Sequence, residues 1–151
     1  MPSAYVDGLK MLARRELSEA QVRQRLARRG HPPDDVDAAV ARLKEERALD
    51  DVRVAEAIAR TETSVKRRGR LRVRLQMERA GIAPSTARRA IDDIFAGIDG
   101  AGLIEAALAK RLRGQASIRD DAQFARLYRY LMGQGFEADQ IVRALKARSV
   151  K

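Results

Sequence analysis

The chain has 151 residues, a net charge of +10 and no cysteine. The lack of cysteine excludes disulfides, and we expect neither a signal peptide nor a membrane span, because no apolar run approaches roughly 20 residues. With no thiol, glycine-rich phosphate loop or metal-ligand cluster, the sequence favours a cytoplasmic binding protein over an enzyme, with no catalytic residue, metal, cofactor or small-molecule substrate.

The first helices of the chain are marked by an apolar stripe and a capping signal. Leu9 and Leu12 have helical spacing, which predicts a short helix. Ser18 can then cap a second helix, with Gln21 closing a capping box. This helix should end at Gly30, because glycine adopts the left-handed C-terminal position without a steric penalty. A third helix should begin at the two prolines that follow, since proline is tolerated in a first helical turn.

The second group of helices begins at Asp50 and contains one ambiguous stretch. Residues 70–75 alternate basic and apolar side chains, which is the period of a β-strand. Val73 and Met77, however, occupy the register of an apolar pair in the preceding group, with the i,i+4 spacing of one helix face. We therefore predict a helix here that ends at Gly81.

A glycine-rich linker, residues 95–102, precedes the third group of helices. Ile104 and Leu108 follow the linker with helical spacing. Later in this group Gly135 is followed directly by Phe136, which can pack back onto the helix that the glycine ends.

The three turn glycines mark copies of one helical unit. The spacing is 51 residues from Gly30 to Gly81 and 54 residues from Gly81 to Gly135. Each glycine is preceded, four positions earlier, by a large apolar side chain: Leu26, Met77 and Leu131. A recurring period of this length indicates a repeat architecture.

We predict an all-α fold of three tandem three-helix repeats that form an elongated curved array. Helical repeat 1 should span residues 1–49, the basic repeat 2 residues 50–96, and repeat 3, after the glycine-rich linker, residues 97–151. A unit of about 50 residues buries little surface alone, so we expect neighbouring repeats to share an apolar interface.

The excess positive charge is concentrated in the middle of the chain. Residues 1–51 carry ten basic and ten acidic side chains, residues 52–89 carry eleven and three, and residues 90–151 carry ten and eight. A genomic bias towards arginine does not explain this segregation, because repeat 1 is equally rich in arginine. We predict a partner-binding or nucleic-acid-binding band, called the basic band below, made of Lys66, Arg67, Arg68, Arg70, Arg72, Arg74 and Arg79.

The alternative interpretation of the basic band is a solvated face without a partner. If it binds, the partner is a nucleic acid or an acidic protein surface. No aromatic side chain falls inside the band, so nucleic-acid contacts should be to phosphates, salt-dependent and little dependent on sequence. We expect that changing Arg68, Arg70 and Arg72 to glutamate weakens partner binding without unfolding the protein.

The single histidine and the paired aspartates have structural explanations. His31 follows Gly30 in the slot that apolar side chains fill in the other repeats, so it should pack as a turn residue rather than act as a ligand or base. Carboxylates are favourable at the positive end of a helix dipole. The aspartate pairs stand at such predicted starts, at residues 34–35, 50–51 and 120–121.

A set of short segments is spread over nearly the whole chain. The most specific is the leucine-aspartate-aspartate stretch at 49–51, and the others are residues 12–18, 26–30, 52–55, 69, 81–82 and 135–136. Together these segments resemble the bacterial RecX regulators of the RecA recombinase. Arg47 stands where that family usually has a glycine, Val54 and Ile58 replace common aromatics, and residues 133–134 replace positions that tend to be basic.

The resemblance implies an all-helical modulator, without enzymatic activity, that acts in homologous recombination, DNA repair and the SOS response. It implies binding along the groove of the RecA–DNA filament, with restraint of filament growth, ATP hydrolysis, strand exchange and coprotease action. We expect a monomer that also contacts the DNA phosphate backbone. Two other classes stay open: a stand-alone nucleic-acid-binding protein without sequence specificity, and a helical adaptor that touches only protein.

Overall fold

The computed structural model describes residues 2–149, and this range is built from α-helices. A π-helical turn, Thr61–Val65, extends the fourth helix, and a single parallel bridge joins Ile118 to Ser149. The all-α prediction is confirmed. In chain order the helices of residues 2–149 are α1 (Ala4–Arg14), α2 (Glu19–Arg28), α3 (Pro33–Glu45), α4 (Asp51–Arg60), α5 (Arg70–Arg79), α6 (Pro84–Ala96), α7 (Gly100–Leu112), α8 (Asp121–Gly133) and α9 (Ala138–Arg148).

The predicted helix starts are present and capped. The Ser18 hydroxyl accepts the Gln21 amide at 3.1 Å, and the Gln21 side chain accepts the Ser18 amide at 2.9 Å, which completes the capping box. Asp50 caps α4 through the amide of Val52 at 3.0 Å. Asp120 caps α8 in the same manner. These bonds satisfy amides that a helix start otherwise leaves without partners.

The three turn glycines adopt the left-handed conformation, with φ of +90° at Gly30, +75° at Gly81 and +93° at Gly135. The amide after each glycine donates to the carbonyl five residues before it, at 3.0 to 3.3 Å. This closure is the C-terminal motif that glycine favours. It turns the next side chain into the core, where the buried residues are His31, Ile82 and Phe136.

The ambiguous stretch at residues 70–75 is helical, as the repeat register predicted. It forms the first part of α5, and Val73 and Met77 are both fully buried on one face of that helix. Full burial of such a side chain contributes about 1.5–3 kcal/mol. The alternation of basic and apolar residues is therefore overruled by packing against α4 and α6.

Each group of three helices has its own apolar core. The three clusters of buried side chains are centred on Leu26 in repeat 1 (α1–α3), Met77 in repeat 2 (α4–α6) and Leu131 in repeat 3 (α7–α9). The clusters of residues 2–149 do not merge, which differs from the expected shared apolar interface. The repeat boundaries and the elongated curved shape stay predictions.

Backbone and polar contacts join repeat 1 to repeat 2. The Ser18 hydroxyl at the start of α2 donates to the Ala80 carbonyl in the turn before α6. The Glu19 amide donates to Asp51 at 2.8 Å. The approach is close, because a Cβ placed on Gly81 would lie 2.5 Å from the Ala20 Cβ.

The junction between repeats 2 and 3 uses the same elements one repeat later. The Gly69 amide at the start of α5 donates to the Gln134 carbonyl at 2.8 Å, and the Leu71 amide donates to Gly135 at 3.1 Å. A Cβ on Gly69 would lie 2.5 Å from the Gly135 carbonyl oxygen. Ser18 and Gly69 are 51 residues apart, as are the first two turn glycines. The start of α2 and the start of α5 therefore each dock on the glycine turn of the next repeat.

Candidate polyanion-binding site

The basic band lies on the connection between α4 and α5 and along α5 itself. The π-helical turn is closed by the Lys66 amide, which donates to the Thr61 carbonyl at 3.1 Å. The Arg68 amide donates to the Glu62 carbonyl at 2.9 Å and ends the turn. Between these two bonds Arg67 adopts φ of +53°, a left-handed conformation that is costly for a residue with a Cβ.

A buried carboxylate that sequence reasoning missed neutralises part of the basic band. The side chain of Glu62 is only 5% exposed, and Arg68 Nη1 lies 3.1 Å from its carboxylate. Lys66 Nζ lies 3.3 Å from the same group. The Arg68 side chain is itself mostly buried, and its Nε has no hydrogen-bond partner within residues 2–149. Arg68 thus compensates a buried charge, and its loss would leave Glu62 with the more exposed Lys66 as its ion-pair partner in the described range.

Two further arginines of the band form exposed ion pairs. Arg70 Nη1 lies 2.6 Å from Asp92 on α6, and its guanidinium carbon lies 5.3 Å from the centre of the Phe95 ring. Arg74 Nε lies 3.7 Å from Glu78 one turn along α5. Exposed pairs contribute only about 0–1 kcal/mol each, so an anionic partner can compete for these guanidinium groups.

Two amides at the helix start inside the basic band are used by the junction between repeats 2 and 3. The amides of Gly69 and Leu71 at the start of α5 donate to carbonyls of the turn before α9. A bound phosphate would normally use such amides together with the helix dipole. These two amides are therefore not available to a polyanion, and the basic band presents mainly its side chains.

The remaining three arginines make no ion pair within residues 2–149, but they do not share one surface. Arg67 lies in the connection before α5. The backbone of Arg72 packs against Gly135, and its Nε is buried without a hydrogen-bond partner in the same range. Arg79 lines a cleft between repeats 1 and 2. The structure thus divides a band that is continuous in sequence.

Arg88 on α6 was missed by sequence reasoning. It lies four residues before Asp92 and so shares a face of α6 with it, as Arg74 shares a face of α5 with Arg70. The two helices are joined by a short turn and pack together, which puts Arg74 and Arg88 on the side of the hairpin that carries the Arg70–Asp92 pair. The acid-poor composition of residues 75–91, where Glu78 is the single acid, was the signal available.

His31 is buried, as predicted for a packed turn residue, but it has a partner that spacing did not reveal. His31 Nε2 lies 2.7 Å from the carboxylate of Asp7 on α1, which is also buried, and Arg29 lies 3.3 Å from the other oxygen. The hydrogen bond with His31, aided by the charge of Arg29, holds the pKa of Asp7 below its ordinary value. The available signal was position, since Asp7 lies on the stripe of Ala4 and Met11.

The chain is similar to known proteins over nearly its whole length. Family models described as RecX, first three-helix domain, and RecX, third three-helix domain, match residues 4–43 and 102–145. A protein named Regulatory protein RecX from Chromohalobacter salexigens is 32% identical over 139 residues, which cover 92% of this chain and 88% of the relative. The chain belongs to the RecX family. A RecX relative from Halorhodospira halophila is also 32% identical, over 92% of this chain and 84% of the relative.

Solved RecX structures share the fold of this RecX-family chain. The crystal structure of RecX from Lactobacillus salivarius matches with a TM-score of 0.76 at 18% identity, covering 95% of this chain and 93% of that one. A crystal structure of a regulatory protein RecX matches with a TM-score of 0.74 at 21% identity, covering 95% and 70%. These matches support the helical-repeat fold. Among residues 2–149 no helix is long and apolar enough to cross a bilayer, and no three acidic or histidine side chains group as metal ligands.

Proposed function

We propose that this chain is a non-enzymatic regulator of the RecA recombinase that acts mainly as an inhibitor. The observation that carries the proposal is the 32% identity to a Regulatory protein RecX over 92% of the chain. In this proposal the chain works in the cytoplasm as a monomer, lies along the groove of the RecA–DNA filament, and restrains filament growth, ATP hydrolysis and strand exchange. The concentration of positive charge in repeat 2 supports binding to an anionic surface such as the groove of that filament.

The proposed contact surface is the part of the basic band that is not engaged in close ion pairs. Arg67 and Arg74 are the principal candidates, because Arg67 has no ion pair in the described range and Arg74 has only a long, exposed one. Lys66, Arg70 and Arg72 have secondary roles in this proposal, whereas Arg79 lies apart from them in the cleft between repeats 1 and 2. Arg68 supports the connection by compensating Glu62 rather than by reaching the partner.

A RecA ATPase assay on single-stranded DNA tests the function. We expect the steady-state rate of ATP hydrolysis to fall as this chain is added, because a protein seated in the groove opposes filament growth. The matched control is the same assay with a variant in which Arg67 and Arg74 are changed to glutamate. A rate of hydrolysis that stays constant at saturating amounts of the folded chain would contradict the proposed regulation.

A second candidate is a stand-alone protein that binds nucleic acid through phosphates without sequence specificity. The observation in its favour is the eleven basic against three acidic side chains of residues 52–89. Equal affinity for bare DNA and for the RecA-coated filament would favour this candidate. Affinity for the filament that survives high salt would instead favour a helical adaptor that binds protein alone.

A further inference from the structure

A cleft of about 330 Å³ lies between repeats 1 and 2, at the junction formed by α2 and the turn before α6. One wall comes from repeat 1, and α4 and α5 of repeat 2 form the rest. Val54, Ala57 and Ile58 have the i, i+3, i+4 spacing of one helix face and form an apolar floor. The cleft is also lined by Arg15, Glu16 and Gln21 of repeat 1 and by Glu62 and Arg79 of repeat 2.

The charged side chains of the cleft that make no ion pair within residues 2–149 are positive. Glu16 is engaged by Arg53 at 2.8 Å, and Glu62 is engaged by Arg68 at 3.1 Å. Arg15 and Arg79 are exposed and make no ion pair within residues 2–149. Two guanidinium groups from different repeats therefore flank an apolar floor.

The cleft is formed before any partner arrives. The Ser18 hydroxyl donates a hydrogen bond to the Ala80 carbonyl across the junction. The Ser18 amide donates to the side-chain oxygen of Gln21 at 2.9 Å. These contacts fix α2 relative to the turn that follows α5. A preformed surface loses little conformational entropy when a partner binds.

We propose that this cleft binds a protein segment of the recombinase filament that presents a carboxylate beside an aliphatic side chain. The carboxylate pairs with Arg15 and Arg79, and the aliphatic group covers the face of Val54, Ala57 and Ile58. A nucleic-acid backbone offers phosphates but no aliphatic group for that face. The inference rests on the proposed function. The cleft contacts the protein of the filament, whereas Arg67 and Arg74 contact the DNA phosphates.

The test compares binding of full-length variants to two probes: the RecA filament on single-stranded DNA, and the same DNA without RecA. We expect the double variant Arg15→Gln, Arg79→Gln to bind the filament about tenfold more weakly and bare DNA with unchanged affinity. A second variant, Ala57→Gln, fills the cleft without changing charge and should show the same selective loss. The matched control, Arg14→Gln with Arg28→Gln, removes two exposed charges of repeat 1 that do not line the cleft and should keep wild-type affinity for both probes.

The outcomes separate the two hypotheses. If the wild-type chain does not bind the filament, the proposed function fails. If the wild type binds and both cleft variants bind equally well, the cleft inference is wrong while the function stands. An equal loss of affinity for filament and bare DNA would make the cleft a phosphate site, which also overturns the inference. Thermal unfolding of every variant shows that each compared protein is folded.

Discussion

At the scale of single residues, the structure shows that like side chains of this chain have unlike roles. Arg68 compensates a buried carboxylate, Arg70 forms an exposed pair with Asp92, and Arg67 has no acidic partner within residues 2–149. Changing Arg68 to glutamate would place a second carboxylate beside the buried carboxylate of Glu62. Repulsion between these two groups destabilises the fold. The sequence-based choice of Arg68 for charge reversal is therefore revised, because the loss of binding and the loss of folding would coincide.

The left-handed arginines allow a matched test of the proposed contact. Arg67 and Arg47 have φ of +53° and +58°. We expect Arg67→Gly and Arg47→Gly each to leave the free energy of unfolding unchanged or to raise it by up to about 1 kcal/mol, because glycine removes the strain. Denaturant unfolding measures that change for each variant.

The binding readout then separates the two arginines. Arg67→Gly should bind DNA or filament more weakly, whereas Arg47→Gly in the charge-balanced repeat 1 should bind as the wild type does. Equal binding by both glycine variants would show that the Arg67 side chain does not contact the partner. Lower stability of either variant would show that the left-handed conformation is not strained.

The buried Asp7 makes stability depend on pH. Its pKa is lowered by the hydrogen bond with His31 and by the charge of Arg29, so the ionised form stabilises the folded state above the ordinary value of 3.8. This stabilisation is lost as the pH falls through the lowered pKa of the folded state. We expect Asp7→Asn to reduce the fall in melting temperature between about pH 5 and pH 2.

The measurement is a set of melting curves over that pH range. Asp93→Asn is the control, because the Asp93 carboxylate is exposed and makes no ion pair in the described range. It should keep the acid-side decline of the wild type. A decline in Asp7→Asn as steep as that of the wild type would show that the Asp7–His31 contact does not contribute to acid sensitivity.

At the scale of helices, one kind of contact recurs at both repeat junctions: the start of α2 lies on the Gly81 turn, and the start of α5 lies on the Gly135 turn. At Gly135 a Cβ would overlap the backbone of Arg72, but at Gly30 no atom of residues 2–149, apart from the glycine and its chain neighbours, lies within 4 Å of the same position. Their φ angles, +93° and +90°, are nearly equal. The two glycines therefore share the conformational requirement and differ in the junction alone.

That difference predicts the stability of two alanine variants. Gly30→Ala should cost about 1–2 kcal/mol, which is the left-handed penalty alone. Gly135→Ala should cost about 2–4 kcal/mol, because overlap with the start of α5 adds to the same penalty. Urea unfolding measures both values. Equal losses would mean that the junction relaxes around the new methyl group and is not a tight contact.

At the scale of the whole molecule, the fold decides which of the positively charged side chains lie on a surface that a partner can contact. The double variant Arg67→Glu, Arg74→Glu should bind bare DNA more weakly and lower the slope of log affinity against log salt by about 2, if each arginine contacts one phosphate. The control, Arg14→Glu with Arg28→Glu, makes the same change in net charge on repeat 1. Similar salt slopes for the two double variants would show that overall charge, rather than this surface, governs binding.

The sequence alone determined the elements and their order in this chain. Turn glycines, capping residues and apolar spacing act over a few residues, so α2, α5 and α8 and their left-handed ends were readable without coordinates. The repeat register also corrected the strand-like alternation of residues 70–75. The RecX resemblance was carried by short segments for the same reason.

The tertiary structure alone decided which charged groups are available to a partner. Glu62 and Asp92 neutralise arginines of the basic band, the carbonyls of Gln134 and Gly135 accept the amides of Gly69 and Leu71, and Arg79 lines the same cleft as Arg15. Burial and ion pairing depend on distances between residues far apart in the chain. Local sequence patterns do not reveal such distances. The sequence therefore could not show that the basic band is divided among different surfaces.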